Sequence, residues 1–261
     1  MAGHADREGA AEHALSGGNT TPVVRVGDTV RRATGPWTAA VHELLSAYTS
    51  AGLTETPRAL GLDDAGREVL TYLPGELLVE QPPQILWSRD VLGQCARLLR
   101  RLHDASAALA GARDRVWRGA PPPPAEVVCH GDFAPYNLLV QEGRVTGVID
   151  CDFAAPGPRI WDLAYLAYRL VPYAEDAEGF DAAVFGTRDE RLSLLIDAYG
   201  LRYDPSAVRR GAADRLRALA AWTEERAVQT GRADFAAHAA MYRRDAARLD
   251  RRSLPADRSA Q

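Results

Sequence analysis

Three side chains that can bind a divalent cation or orient a hydroxyl group lie in one short stretch of the chain: Asp132, Asn137 and Asp150. Asp132 precedes Asn137 by five positions, and two apolar runs follow, separated by Glu142 and Gly143. This pattern predicts a β-hairpin with Glu142 and Gly143 as its loop. Carboxylate and amide oxygens are the ligands that Mg²⁺ prefers, so the stretch could support metal-assisted chemistry at a phosphate group.

The predicted hairpin makes a geometric statement about two of these side chains. If pairing starts with Gln141 opposite Arg144, Asn137 opposes Val148 and Asp150 falls on the same side of the hairpin. Asn137 and Asp150 are then diagonal neighbours, roughly 7–8 Å apart at the backbone. Two oxygen-bearing side chains at that separation could share one Mg²⁺ ion.

Asp132 lies in the predicted loop before the hairpin. A carboxylate there could accept a hydrogen bond from an incoming hydroxyl group and aim its oxygen at phosphorus. The order His-x-Asp-x-x-x-x-Asn, with a later Asp, matches the catalytic and metal-binding segments of kinases. Simpler interpretations remain: the tripeptide from His130 to Asp132 alone is a turn, and Asp150 with Asp152 alone is a solvated strand end or the metal site of a sugar-nucleotide transferase.

The motif resembles the aminoglycoside phosphotransferase and choline kinase-like family, which are small-molecule kinases with a reduced protein-kinase fold. The resemblance is carried by three segments: His130-Gly131-Asp132-Phe133-Ala134-Pro135-Tyr136-Asn137, Ile149-Asp150-Cys151-Asp152 and Gly157-Pro158-Arg159-Ile160-Trp161-Asp162-Leu163-Ala164. It implies that Asp132 is the catalytic base, that Asn137 and Asp150 bind Mg²⁺, and that Asp162 is structural. His130 and Asp152 are expected to support the site.

The nucleotide side of the resemblance is less complete. Two short predicted strands flank Gly27-Asp28 and form the first predicted hairpin. Gly17, Gly18 and Asn19 precede it, where a loop covering phosphates would lie, although an ordinary turn explains them equally well. Kinases also use a strand lysine against the α- and β-phosphates, held by a helix glutamate. This chain contains no lysine, and all 31 of its Lys+Arg positions are arginine.

An arginine must therefore replace that lysine. The resemblance places Arg31 there, with Arg32 as the alternative because adjacent strand residues face opposite sides. The predicted partner is Glu43, unless that side chain is simply exposed on its helix. Thr71 and Leu73 look like the segment between the lobes whose backbone would bind adenine, although a strand end and turn would look the same.

The acceptor site is the least defined part of the sequence. Glu175 and Asp176 belong to an acidic cluster that could attract a cationic substrate, although solvated loop charges are the commoner explanation. Aminoglycosides, choline-like alcohols, homoserine, sugars and macrolides all remain open as acceptors. The last predicted helix carries Phe235, Tyr242 and Leu249 at helical spacing, which we interpret as core positions.

The order of predicted elements is short strands and one helix, followed by mainly helices around the catalytic hairpin. The expected fold is α+β, a two-lobed protein-kinase-like fold with a small β-rich N-lobe and a larger, mainly helical C-lobe. Pro74-Gly75 is the predicted lobe boundary. The expected units are a flexible tail (1–15), a nucleotide-binding N-lobe (16–74), a catalytic and acceptor-binding C-lobe (75–250) and a second flexible tail (251–261).

Composition limits the other possibilities. A net charge of −4 argues against general nucleic-acid binding, and no apolar run approaches the roughly 20 residues that a bilayer crossing needs. Three cysteines without C-x-x-C spacing favour a reducing cytoplasm. The predicted function is transfer of the γ-phosphoryl group of ATP, with Mg²⁺, to a hydroxyl group of a small molecule.

Two other functions are considered. The missing lysine and the abbreviated glycine loop would suit a nucleotide-binding pseudokinase that regulates without transferring phosphate. Asp150 and Asp152 alone would suit another metal-dependent transferase.

Overall fold

The computed structural model of the protein describes residues 12–15, 23–112 and 114–253. The first part contains five strands: β1 (Glu12–Ala14), β2 (Val23–Val26), β3 (Thr29–Arg32), β4 (Ala59–Leu62) and β5 (Glu68–Thr71). They form one antiparallel sheet in the order β1-β2-β3-β5-β4. Gly17, Gly18 and Asn19, the predicted phosphate loop, lie outside the described residues.

The first predicted hairpin is confirmed. Val26 pairs with Thr29, which leaves Gly27 and Asp28 as a two-residue loop, and Gly27 has a φ of 60°. Such short loops need left-handed backbone, which glycine adopts without steric cost. The sequence placed residues 12–14 in a flexible tail, whereas the structure pairs this segment with β2 as an edge strand.

The described residues contain five further strands, eight α-helices and four short 3-10 helices. The strands are β6 (Glu76–Leu77), β7 (Val127–Cys129), β8 (Leu138–Gln141), β9 (Arg144–Val148) and β10 (Ala155–Gly157). The helices are α1 (Thr38–Ser50), α2 (Pro83–Leu86), α3 (Arg89–Ser106), α4 (Ile160–Leu170), α5 (Ala182–Phe185), α6 (Arg188–Tyr199), α7 (Pro205–Thr230) and α8 (Ala233–Ser253). None of the described helices has both the length and the apolar character for crossing a membrane.

One apolar core connects the sheet region with the helical region. Helix α3 contributes the stripe that its heptad-like spacing predicts, and its N-terminus is capped by the side chain of Ser88. The stripe is buried and consists of Val91, Leu92, Cys95, Leu98, Leu99 and Leu102. The same cluster includes Leu44 of α1, Leu70 of β5 and Val148 of β9. The hairpin of β8 and β9 is therefore anchored in the main core.

Strands β8 and β9 form the hairpin that the sequence predicts, next to β6 in a three-stranded sheet. The loop residues Glu142 and Gly143 have φ values of 49° and 73°. Positive φ at both central residues is what a type I′ hairpin turn requires. The pairing at this end of the hairpin is as expected.

The register changes farther from the loop. Val140 pairs with Val145, but Leu139 pairs with Gly147, so Thr146 is an extra residue on β9. An extra residue of this kind is a β-bulge, which shifts every later pair by one position. The register predicted from the sequence, in which every residue of β9 has one partner on β8, is therefore wrong beyond Val145.

This shift changes the neighbours of Asn137. Leu138 opposes Val148, so the predicted pairing of Asn137 with Val148 is wrong. Instead, the backbone oxygen of Asn137 accepts a hydrogen bond from the N–H group of Ile149 at 2.9 Å. Ile149 directly precedes Asp150, so the two predicted metal ligands still lie at the same end of the hairpin.

Candidate active site

Asp162, near the start of α4, fixes the loop that carries Asp132. Its buried carboxylate accepts hydrogen bonds from the backbone N–H groups of His130 (2.6 Å) and Gly131 (3.0 Å), and it contacts Nε2 of His103 (3.1 Å). Burial alone would raise the pKa of this carboxyl group, but the hydrogen bond from His103 and neighbouring positive charge keep the pKa below its ordinary value. One ionised side chain therefore holds the loop.

The ligand atoms of His103, Cys129 and Asp162 lie within 4.8 Å of one another, close enough to share a metal ion. However, both ring nitrogens of His103 are already engaged, one with Asp162 and the other with the hydroxyl group of Tyr199 at 2.7 Å. Both oxygens of Asp162 are also hydrogen-bonded. We interpret this buried group as a structural anchor.

Gly131 allows the loop to approach the segment after Asp150. Its φ is 80°, and a Cβ atom at this position would lie 2.2 Å from the backbone oxygen of Phe153. His130 makes a second connection, because its Nδ1 accepts from the N–H group of Asp132 (3.2 Å) and its Nε2 donates to the oxygen of Ile149 (3.1 Å). Close packing and side-chain hydrogen bonds therefore join the two parts of the motif.

Asp132 is held by two neighbouring side chains. The hydroxyl group of Tyr136 donates to Oδ1 of Asp132 at 2.5 Å, and Nδ2 of Asn137 donates to Oδ2 at 3.0 Å. Tyr136 also shares a hydrogen bond with the hydroxyl group of Tyr165 at 2.8 Å. Burial raises the pKa of Asp132, and the hydrogen bond from Tyr136 acts in the opposite direction. A carboxylate with a raised pKa and fixed geometry is suited to accept a proton.

The amide group of Asn137 is oriented by Asp132. Its Nδ2 donates to the backbone oxygen of Asp132 (2.9 Å) as well as to the carboxylate. These bonds direct Oδ1 of Asn137 elsewhere, and the described residues place no donor on it. Oδ1 of Asn137 is therefore available as an oxygen ligand for Mg²⁺.

Asp150, the second predicted metal ligand, has a strained backbone conformation. Its φ and ψ are 64° and 67°, in the left-handed region that non-glycine residues rarely adopt. Such strain concentrates at functional sites, where the surrounding structure holds it in place. Asp150 and Asn137 line the same cavity.

Arg32 connects β3 to the catalytic segment. It donates to Glu68 at 2.5 Å, to Asp150 at 3.0 Å and to Asp152 at 2.7 Å. Glu68 is directly opposite Arg32 in the β3–β5 pairing and is buried. His42 of α1 approaches the other carboxylate oxygen of Glu68 at 3.1 Å. The guanidinium group of Arg32 is therefore held by Glu68 of β5, and His42 of α1 contacts Glu68 in turn.

Two sequence expectations for this cluster differ from the structure. Arg31 points away from the site, where it bonds Thr29 (2.6 Å) and lies 3.7 Å from Asp63, so Arg32 is the arginine near the predicted metal ligands. Glu43 does not pair with either residue, because it is half exposed and bonds Arg115 at 2.5 Å. The sequence could not reveal how α1 is rotated about its axis.

A cavity of about 250 Å³ lies between the first sheet and the hairpin. One end carries Arg32, Asn137 and Asp150, and the rest is mainly apolar. Its other lining residues include Leu70, Thr71, Leu73, Leu77, Leu139 and Ile149. Thr71 and Leu73, the expected adenine-binding segment, thus lie in the same cavity as the expected metal ligands. The N–H group of Thr71 is already bonded to the oxygen of Arg58 at 3.0 Å.

A second cavity, of about 480 Å³, lies on the other side of Asp132. Tyr136 lines both cavities. The second cavity is rich in aromatic side chains: Phe153, Trp161, Tyr165, Trp222, Phe235 and Tyr242. Of the three predicted core positions of α8, Leu249 is buried in the core and Tyr242 is half-buried and packs against it, while also lining the cavity. The prediction is wrong for Phe235, which is half-buried in the cavity wall and is not part of the core cluster.

The acidic cluster lies elsewhere. Glu175 pairs with Arg244 and lies 3.5 Å from Arg248, and Asp176 pairs with Arg169 at 3.1 Å. Neither acid lines the cavity next to Asp132. Intramolecular ion pairs therefore account for these charges, and the structure does not bring them to the site.

Comparisons with known proteins place this architecture among kinase-like enzymes. The family model "Phosphotransferase enzyme family" matches residues 107–195. A choline/ethanolamine kinase family protein from Mesorhizobium loti has a similar structure, with a TM-score of 0.63 at 22% identity over 94% of this chain and 89% of the other. A ternary complex of APH(2")-IIa with streptomycin and ATP gives a TM-score of 0.52 at 12% identity, over 90% of this chain and 94% of the other. The fold is α+β and protein-kinase-like.

A sequence relative covers more of the chain than the family model does. The trifolitoxin immunity protein of Rhizobium leguminosarum bv. trifolii is 33% identical over 198 residues, which are 73% of this chain and 74% of the relative. The chain therefore belongs to the phosphotransferase enzyme family, whose members are small-molecule kinases.

Proposed function

We propose that the protein transfers the γ-phosphoryl group of ATP, with Mg²⁺, to a hydroxyl group of a small molecule. The observation that carries this proposal is the position of the motif between two cavities. Asp132 lines the larger, aromatic cavity, whereas Asn137 and Asp150 line the smaller one. A nucleotide in the smaller cavity and an acceptor in the larger one would meet at these three side chains.

The nucleotide would place adenine in the apolar end of the smaller cavity and its phosphates at the polar end. Leu73 is the candidate for backbone bonding to adenine, because the N–H group of Thr71 is engaged by Arg58. Arg32 would bind the phosphates, and an arginine can do so with two parallel hydrogen bonds. To reach them it would exchange its contact with Asp150 for phosphate oxygen.

Mg²⁺ would be held by Oδ1 of Asn137 and the carboxylate of Asp150, which fit its preference for oxygen ligands. When bound, the ion supplies charge neutralisation at the phosphate oxygens. Asp132 accepts the proton of the acceptor hydroxyl group and orients its oxygen toward phosphorus. Tyr136 and Asn137 keep the carboxylate in that position. Asp162 keeps the whole loop in place.

The alternative is a nucleotide-binding pseudokinase, for which the arginine in place of lysine is the supporting observation. The two functions differ in one outcome. Both predict that ATP with Mg²⁺ raises the melting temperature, but only the kinase transfers phosphate. The name of the relative from Rhizobium leguminosarum suggests that toxic compounds belong in any acceptor panel. We propose the cytoplasm as the site of action, since ATP is available there.

The test is a mass-spectrometric screen of amines, amino alcohols, sugars, hydroxy acids and antibiotics with ATP and Mg²⁺. We expect at least one compound to gain the mass of one phosphate, and the gain to disappear with EDTA and with Asp132→Ala. Stabilisation by ATP without phosphate transfer to any compound would favour the pseudokinase. Stabilisation by sugar nucleotides and not by ATP would contradict both.

A further inference from the structure

The aromatic cavity beside Asp132 contains two arginines and only one acid. Arg118 and Arg215 line it together with His238, and Asp132 is the only carboxylate among its lining residues in the described chain. A polycationic amine would therefore find no counter-charge except the carboxylate that must accept the hydroxyl proton. The charge of the cavity favours a ligand of the opposite sign.

Arg215 is the better candidate for binding an anionic group. Its guanidinium lies over the rings of Trp161 (5.3 Å) and Tyr165 (5.0 Å), and NH2 donates to the backbone oxygen of Gly131. Nε of Arg215 is buried and has no hydrogen-bond partner in the described residues. No carboxylate of those residues lies within ion-pair distance of Arg215. The charge of Arg215 favours the ionised form of Asp132. Arg215 nevertheless has an unused donor and no ion-paired carboxylate among the described residues, so it can bind a further anionic group.

Arg118 is already neutralised in part. It lies over the rings of Phe153 (4.4 Å) and Trp37 (4.6 Å), and NH1 is 3.5 Å from the carboxylate of Asp152. Its charge is therefore less available to a ligand than that of Arg215. The aromatic side chains that line the same cavity offer a stacking surface for a flat molecule.

We infer that the acceptor is a hydroxyl compound with a flat, unsaturated body and a carboxylate or similar anionic group that binds Arg215. This inference rests on the proposed function and specifies its acceptor class. Because Arg215 donates to Gly131, the residue before Asp132, the anionic group lies near the reacting hydroxyl group. The acceptor is therefore a compact hydroxy acid and not a large polyamine.

Binding can be tested without nucleotide, because Trp161 and Trp222 line the cavity and report occupancy by fluorescence. Three probes share one frame and differ in charge: 3-(hydroxymethyl)benzoate, 3-(hydroxymethyl)benzamide and 3-(hydroxymethyl)benzylamine. We expect the carboxylate to bind at least about tenfold more tightly than the amine, which is the size of one modest charge-assisted contact. The amide should fall between them.

The preference for the carboxylate probe over the amine probe should depend on Arg215. In Arg215→Gln the carboxylate and the amine should bind within about threefold of each other, and Arg215→Lys should retain part of the difference. The matched control is Arg217→Gln on the same helix, because Arg217 pairs with Asp214 and Asp250 and does not line the cavity. This control should keep the full preference and show that a change of charge on α7 alone does not alter it.

Three results would overturn the inference: tighter or equal binding of the amine, no binding of any probe at millimolar concentration, or an unchanged preference in Arg215→Gln. A uniform fall in kcat for all acceptors in that variant would instead assign Arg215 to the transferring phosphoryl group, against the inference. Failure of the proposed function has a different signature. In that case no compound gains phosphate from ATP, whereas the Arg215-dependent binding of the carboxylate persists.

Discussion

The hydroxyl group of Tyr136 donates a hydrogen bond to Oδ1 of Asp132 at 2.5 Å, and the same tyrosine lines both cavities. The contact has two consequences. It fixes one oxygen of the carboxylate, and it lowers the pKa of a group that burial raises. We therefore expect Tyr136 to hold Asp132 in position and to favour its ionised form.

Substitution of Tyr136 tests this relationship through pH. Asp132 must be ionised to accept a proton, so kcat/KM falls as pH drops through its pKa. Tyr136→Phe removes a bond that favours the ionised form, and the acid limb of the profile should move upward by about one pH unit. The control is Tyr203→Phe, since Tyr203 lines neither cavity. A Tyr136→Phe profile that overlays the wild type would contradict this role.

The choice between neighbouring arginines gives a second prediction. Arg32→Ala should lower kcat/KM for ATP by about a hundredfold, because it removes the cation expected at the phosphates. Arg31→Ala should stay within about twofold, since Arg31 contacts Thr29 and Asp63 away from the cavity. Steady-state kinetics with the acceptor found in the screen measure both. The reverse order of effects would assign the phosphate contact to Arg31.

Alanine substitution at Gly131 and at Gly143 can distinguish the cost of a steric clash from the cost of backbone strain. Gly131 and Gly143 have similar φ values, 80° and 73°, but a Cβ atom on Gly131 would meet Phe153 at 2.2 Å, whereas nothing lies within 4 Å of one on Gly143. Gly143→Ala should lower the free energy of unfolding by about 1 kcal/mol through backbone strain alone. Gly131→Ala should cost at least about 3 kcal/mol in urea denaturation. Equal losses would show that the loop can move away from Phe153.

Asp162 should contribute to stability in a pH-dependent manner. Asp162→Asn leaves a buried N–H donor without its charged acceptor and should cost about 3 kcal/mol at pH 7. The pKa of Asp162 is lowered in the folded state, so its contribution is complete above the unfolded value of about 4 and is lost as pH falls through the folded pKa. The stability difference between wild type and variant should therefore shrink only below about pH 4. Urea midpoints across pH 3 to 7 measure it, and a difference that shrinks between pH 7 and 5 would contradict this assignment.

The sequence predicted the local elements well, because periodicity and turn residues are local signals. The loop at Glu142 and Gly143 lies at its predicted position. The β-bulge at Thr146 has one local signal, Gly147, because a glycine inside a strand often marks a bulge. The alternation of β9 alone does not show which residue is skipped, so the hairpin was predictable and its exact register was not.

The sequence also did not predict which distant segments contact each other. Glu68 lies opposite Arg32 only because β3 pairs with β5, and nothing in the motif spacing indicates that pairing. Glu68 could have been considered as a charged residue in an apolar strand, which is unusual enough to suggest a buried ion pair. The acceptor cavity combines Trp161 with residues of α7 and α8, such as Trp222 and Tyr242, whose spacing is equally typical of core positions.

The proposed role of Asp132 is to accept the proton of the acceptor hydroxyl group and not to bind the nucleotide. Asp132→Asn keeps the shape of the side chain and can be compared with wild type by calorimetric titration with ATP and Mg²⁺ and by phosphate transfer to the acceptor. We predict that ATP binds within about threefold of the wild-type affinity while transfer falls by at least about 10³-fold. Transfer at the wild-type rate, or loss of ATP binding together with transfer, would contradict the account.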